Sequence, residues 1–176
     1  TGVQTCALPI WYNALKIMAQ FAEKLNLPAE AYKALAAATQ SGFQGFINPD
    51  NGGLFDVLDG PGGNDASLRP NQICTVSLPF SPLPLETQQR VVELCGKLLL
   101  TSYGLRSLSS DHPQYTPHYS GGVKERDGAY HQGTVWAWLL GHYAIAEHKV
   151  SGDVDKAMSR LEPLREHLFD AGLGTV

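Results

Sequence analysis

Charge is scarce in this chain, and so is cysteine. Asp, Glu, Lys and Arg make up 17% of its 176 residues, and the formal net charge is -4. With a pI of about 5.8, the balance argues against nucleic acid as the main partner. The three cysteines, Cys6, Cys74 and Cys95, form no CxxC pair. That speaks against a disulfide framework and a cysteine-based zinc site. Cys74 and Cys95 read instead as small buried hydrophobes, and a reducing, cytoplasmic setting is expected. No apolar run reaches the roughly 20 residues a membrane helix needs, so no membrane partner is expected. GxSxG, HExxH and Cys/His nucleophile signatures are missing. Gly60-Pro61-Gly62-Gly63 lacks the Gly-Lys-Ser/Thr ending of a phosphate loop. His112 and His118, six residues apart in a proline-broken stretch, match no metal-ligand spacing.

What the chain does have is a globular composition, 43% hydrophobic, with helical periodicity. Trp11, Leu15, Met18, Ala22 and Leu25 recur at three- and four-residue steps and predict a helix from Trp11, ended by Asn26-Leu27-Pro28. A second helix is predicted over 29–46, with Tyr32, Leu35, Ala36, Thr39 and Phe43 inward, packed antiparallel on the first. A third spans 86–100. A fourth is predicted to run from a Thr134 cap to about Lys149, and a fifth from Val154 to Phe169, with a restart at Pro163. Residues 54–58 and 103–108 suggest short extended pieces. Polar loops occupy 59–65 and 109–130. Five helices alternating with two long loops, without a βαβ rhythm, predict an all-α fold, either an α/α toroid or an irregular helical bundle.

The second loop and its end carry the candidate chemistry. Residues 111–138 combine Tyr115, Tyr119, Tyr130, Trp136 and Trp138 with three histidines and with Asp111, Glu125, Arg126 and Asp127. Sugars offer apolar C–H faces that stack on aromatic rings, and hydroxyl edges that pair with carboxylates, amides and guanidinium groups. The mixture fits a carbohydrate site. On a helix Trp136 and Trp138 would point about 200° apart, which makes Trp136 the better ligand candidate; a core tryptophan remains the other reading. His131 reads equally as a structural histidine or, beside Tyr130 and Gln132, as a ligand contact. Glu125 and Asp127 have the residue types of a glycosidase acid–base pair, but the run Lys124–Asp127 reads more simply as a solvated face. Arg69 is either a clamp for hydroxyl or carboxylate groups or half of a surface ion pair.

Five ordered blocks resemble the bacterial and archaeal branch of the amylo-α-1,6-glucosidase family. They are Trp11-Tyr12-Asn13-Ala14-Leu15, Arg69-Pro70-Asn71-Gln72, Tyr103 to Leu108, Asp111-His112-Pro113-Gln114-Tyr115, and Tyr130 through Trp136. The resemblance implies an incomplete (α/α)6 toroid of the six-hairpin glycosidase type over residues 11–176. It implies removal of α-1,6-linked glucose from branch points of glycogen or limit dextrin, with a branched α-glucan as partner and no metal or organic cofactor. The chemistry would be inverting, with an acid and a base roughly 6.5–9.5 Å apart. It assigns substrate contacts to Arg69, Asn71, Tyr130, His131, Gln132 and Trp136, and more weakly to Asp111 and Tyr119. Glu125 and Asp127 then become loop or subsite residues. The family's acid lies in a Trp-Met-Asp block expected before Trp11, and its base just after the stretch that here reads Gly172-Leu173-Gly174-Thr175-Val176.

The first ten residues, TGVQTCALPI, show no matching periodicity and resemble a translated sequencing adapter, so residues 1–10 are expected to be non-native. A partial toroid would expose apolar surface meant for further helices, and the 176-residue chain is expected to be poorly soluble and inactive alone. Two other readings stay open: a different activity on an α/α toroid, and a non-catalytic carbohydrate-binding module. Fold alone does not choose between them; flanking sequence with or without the two carboxylates does.

Overall fold

A computed structural model describes residues 2–170. The Gly172–Val176 stretch lies outside them. Strand β1 (Val3–Gln4) leads into α1 (Ala7–Lys24), which starts four residues before the predicted Trp11. Helix α2 (Glu30–Phe43) returns antiparallel. The turn between them is built by Asn26 in the left-handed region (φ 55°), with Leu27 N–H donating to the Ala22 carbonyl at 2.8 Å and Asn26 N–H to Glu23 at 3.1 Å. These are the two bonds of a Schellman cap, and Pro28 follows where the helix cannot continue.

The inner stripe of α1 is rotated from the predicted one. Tyr12, Leu15, Ala19 and Ala22 are buried, whereas Trp11, Met18 and Leu25 are 51%, 42% and 68% exposed. Leu35 on α2, predicted inward, is also exposed. Buried Asn13 fixes the choice of face: its amide donates to the Pro9 and Phe80 carbonyls, each at 2.8 Å, and its oxygen accepts from Phe80 N–H at 2.9 Å. A polar side chain satisfied on both ends can be buried without penalty, and here it turns the helix.

The chain is not all-α. Strands β2 (Val57–Gly60) and β3 (Gly63–Asp65) form a hairpin that pairs with β1. A second antiparallel sheet joins β4 (Leu100–Thr101), β5 (Gly104–Arg106) and β6 (Val135–Trp136). Strands of two to four residues leave too little alternation to register as a period. The helices that follow are α3 (Cys74–Ser77), α4 (Leu85–Leu98), α5 (Val123–Ala129), α6 (Trp138–Ser151), α7 (Val154–Ser159) and α8 (Glu162–His167). Helix α5 lies inside the predicted second loop, hidden by its charge run. The predicted fifth helix is split, with α8 restarting around Pro163.

Thr134 is not a helix cap. Its hydroxyl donates to the Ala129 carbonyl at 2.9 Å, and Trp136 sits in β6, before the helix begins at Trp138. The core gathers around α6. Leu139, Leu140 and Tyr143 pack with Phe43, Phe46, Ile73, Val76, Val91, Cys95, Leu99 and Leu105. At the far end of α6, buried Glu147 accepts two bonds from Arg160, at 2.9 and 3.0 Å, and joins α7 to the core.

Candidate functional site

The β2–β3 hairpin brings Asp56 and Asp65 side by side, with Asp56 N–H donating to the Asp65 carbonyl at 2.7 Å. Beyond it, Arg69 is extended and precedes a short 3-10 turn over Pro70–Ile73, with proline in its first turn. That geometry aims the guanidinium back across the hairpin. Its Nε lies 3.5 Å from the Asp56 carboxylate. One terminal nitrogen donates to the Ser107 carbonyl at 3.2 Å and to that of His131. The other donates to Gln132 Oε1 at 3.1 Å. A guanidinium has five N–H groups; three donate hydrogen bonds to protein, and Nε sits at ion-pair distance from Asp56. Arg69 is chiefly a brace between the hairpin, the Ser107 strand end and the Tyr130–Gln132 turn.

The braced turn forms an aromatic wall. Tyr130 packs on Trp136 with ring centroids 4.5 Å apart and on His131 at 4.7 Å, edge to face. The Trp136 indole N–H donates to the Tyr130 carbonyl at 3.2 Å. Pairing of Leu105 with Trp136 holds the segment to β5. Gly133 makes the approach possible: at φ 141° a Cβ there would lie 2.6 Å from both the Tyr115 ring and the Thr116 carbonyl. Its N–H donates to the Ser107 hydroxyl at 2.9 Å.

Between hairpin and wall lies an open cleft of about 680 Å³. The two carboxylates in it are pushed apart. Burial raises the Asp56 carboxyl above the usual range, and Asp65 adds to this, outweighing Arg69 and Asn71. Burial acts the same way on Asp65, but the Ser67 hydroxyl and N–H, with Arg69 and His112, hold it below the usual range. The cleft therefore pairs an aromatic wall with a carboxylate-and-amide floor, a combination suited to a neutral polyhydroxylated ligand.

Of the residues singled out from sequence, Arg69, Asn71, Tyr130, His131 and Trp136 line this cleft together. Gln132 stands behind it, its oxygen taken up by Arg69. Tyr119 is exposed at the rim, its ring centroid 6.3 Å from that of Tyr130. Asp111 lines a separate groove behind the hairpin, with His112 and Ser67. Glu125 and Asp127 are exposed on α5. Trp138 shares the cleft with Trp136; the 200° argument presumed both on one helix, and the strand-to-helix step between them removes it. Sequence reasoning missed Asp56 and Asp65, along with Gln4, Ser107 and Leu139. Asp56 fell in the predicted extended piece 54–58 and Asp65 at the end of the predicted polar loop 59–65, and the available signal was their position flanking a glycine hairpin immediately before Arg69.

A model of the family described as amylo-alpha-1,6-glucosidase matches residues 3–176. A glycogen debranching enzyme of Saccharomyces cerevisiae is 29% identical over 90 residues, which is 48% of this chain and 6% of that enzyme. Among solved structures, a GH63 mannosylglycerate hydrolase from Thermus thermophilus superposes with a TM-score of 0.71 at 15% identity, over 94% of this chain and 38% of that one. That likeness is one of fold. The chain thus spans well under two thirds of either protein.

Proposed function

The chain belongs to the amylo-alpha-1,6-glucosidase family, and on that premise we propose that its cleft holds the α-1,6-linked glucose of a glycogen or limit-dextrin branch point. The aromatic wall beside paired carboxylates carries this reading. Tyr130, Trp136 and Trp138 offer faces to the sugar C–H groups. Asp56, Asp65 and Asn71 accept from and donate to its hydroxyls, and the remaining Arg69 N–H adds one donor. The described helices form part of an (α/α)6 toroid, a reading supported by the shared fold over 38% of the GH63 hydrolase.

Asp56 and Asp65 bind and do not catalyse. Both rise from one hairpin, on one wall, and an inverting mechanism needs an acid and a water-activating base on opposite faces of the sugar. The acid and base come from outside the described residues. The test is a tryptophan-fluorescence titration of the 176-residue chain with a branched malto-oligosaccharide bearing one α-1,6-linked glucose. The expected result is a saturable change that is stronger for the branched than for the linear sugar and is lost in Trp136→Ala. No response to any α-glucan overturns the proposal.

A further inference from the structure

Strand β6 is the edge strand of its sheet, and a hollow lies on each side of it. Trp136 and Trp138 line the cleft, whereas Val135 and Ala137 line a second hollow of about 580 Å³ with Thr101, Tyr103 and His167. Val135 and Trp136 are neighbours in an extended strand, so their side chains point to opposite faces, and Trp136 borders both hollows. We propose that the second hollow is a further carbohydrate subsite, which holds the main-chain glucose that carries the α-1,6 branch. The inference rests on reading the cleft as the site of the branch glucose.

The second hollow has a stacking wall and a polar atom beside it. Tyr103 and His167 stack with ring centroids 4.7 Å apart and an interplanar angle of 32°, so α8 adds a second ring to the wall begun by the β4–β5 turn. Tyr103 and Val135 are exposed, and such faces suit the C–H groups of a sugar. Thr101 holds the turn: its hydroxyl donates to the Gly104 carbonyl at 2.9 Å and accepts from Tyr103 N–H at 3.4 Å. Gly104 lets β6 lie this close, since a Cβ there would collide with the Trp136 carbonyl. His167 supplies the polar contact. Its Nδ1 lies 2.9 Å from the Asp170 carboxylate. An ionised carboxylate only accepts, so Nδ1 carries the hydrogen, and Nε2 of the neutral ring keeps a lone pair that can accept from a sugar hydroxyl. The chemistry of the linkage fits the two hollows. An α-1,6 linkage runs through an exocyclic methylene and so has a rotatable bond that an α-1,4 linkage lacks. At the free edge of β6 that hinge lets the branch glucose sit in the cleft while the glucose that carries it crosses Trp136 into the second hollow. A linear glucan, without the hinge, makes this step less readily.

The test compares two ligands on the 176-residue chain at micromolar concentration: methyl α-glucoside, which fills the cleft alone, and the branched malto-oligosaccharide, which reaches both hollows. Tryptophan fluorescence reads affinity, and urea unfolding reads whether each variant folds. Tyr103→Ala is expected to weaken binding of the branched sugar about tenfold, the scale of one lost aromatic contact, and to leave methyl α-glucoside within about twofold of native. Tyr103→Phe keeps the ring and stays near native for both sugars. His167→Ala weakens the branched sugar about threefold, as expected for one neutral hydrogen bond, spares methyl α-glucoside, and carries the same test should Tyr103→Ala fail to fold. Branched-sugar affinity unchanged in both alanine variants, or equal losses for the two sugars, overturns the subsite while leaving the cleft reading intact. A native chain that responds to neither sugar overturns the cleft reading and the subsite with it.

Discussion

Replacing Arg69 removes the centre of the brace and gives the sharpest test of how the cleft is held. In Arg69→Met, the Ser107 and His131 carbonyls and Gln132 Oε1 lose a donor, and the Asp56 carboxylate loses its cation. The Arg69 and Asp56 side chains are 16% and 14% exposed, so solvent screens the contacts little. Three bonds from the charged guanidinium to uncharged oxygens, taken at the ordinary and not the charge-assisted value of about 0.5–1.5 kcal/mol each, set a range of roughly 1.5–4.5 kcal/mol. The cleft is open, so water can reach part of the vacated space and the lower half of that range applies, about 2–3 kcal/mol. The ion pair adds less than a close pair would, because the contact is long, at 3.5 Å, and burial and Asp65 already work against the Asp56 charge. In a chain of this length that corresponds to a fall in melting temperature of about 4–12 °C. Arg69→Lys keeps the charge but cannot span three acceptors, and recovers about a third of the loss. Urea unfolding followed by tryptophan fluorescence and near-ultraviolet dichroism measures both variants. If R69M lies within about 0.5 kcal/mol of native, or R69K matches native, Arg69 is not the brace described.

Glu147→Gln is expected to cost about 2–3 kcal/mol at neutral pH by breaking a buried, bidentate pair. Arg160 and Lys156 outweigh burial and hold its carboxyl below the ordinary value of 4.5. Its stabilisation is therefore complete above that value and is lost as pH falls through the lowered one. Melting curves should show the gap between native and E147Q closing in acid, and a gap constant to the lowest pH would contradict the assignment. Gly133→Ala places a Cβ against Tyr115 and Thr116 at a strained φ, costing about 1–3 kcal/mol in backbone strain alone; it should lower the melting temperature and abolish the tryptophan response to sugar, and a native-like response would refute the role given to that glycine. The purified 176-residue chain should release no glucose from a branched limit dextrin, since the described carboxylates of the cleft share one wall. Glucose release above a heat-killed control would place acid and base within it.

Legibility followed the physics of each element. Helix α4 read well because its apolar residues repeat along one face, whereas α6 was found by its apolar content with its start misplaced at Thr134. Helix α1 was found but turned to the wrong face: Trp11 and Met18 are hydrophobic enough to define a stripe, and only the double anchorage of Asn13 to Phe80 shows which side is inward. Helix α5 was hidden because Val123–Ala129 holds more charge than apolar surface. The strands were legible only in part: the predicted extended pieces 54–58 and 103–108 overlap β2 and contain β5, whereas the pairing of Leu105 with Trp136 in β6 is set by tertiary contact. In the cleft, aromatic and cationic residues announced themselves by type. Asp56 and Asp65 did not, because one sits in an apolar extended piece and the other ends a polar, glycine-rich loop until the hairpin folds both together.

Three of the blocks that carried the family resemblance meet at one guanidinium. Arg69 comes from the first, Ser107 from the second and His131 with Gln132 from the third, across separations of 38, 62 and 63 residues. A fourth block, through His112, reaches the same hairpin from behind. None of these segments has a hydrophobic period of its own. Each acquires its shape from bonds donated by another, so the cleft should form as one unit late in folding, after α6 and α4 have packed. Their sequence signal is accordingly one of fixed residue types at fixed places, and not one of pattern. It follows that loss at any of these points, Arg69, Ser107 or Gly133, should disorder the aromatic wall as a whole, whereas loss of Tyr119 at its edge should leave the wall standing.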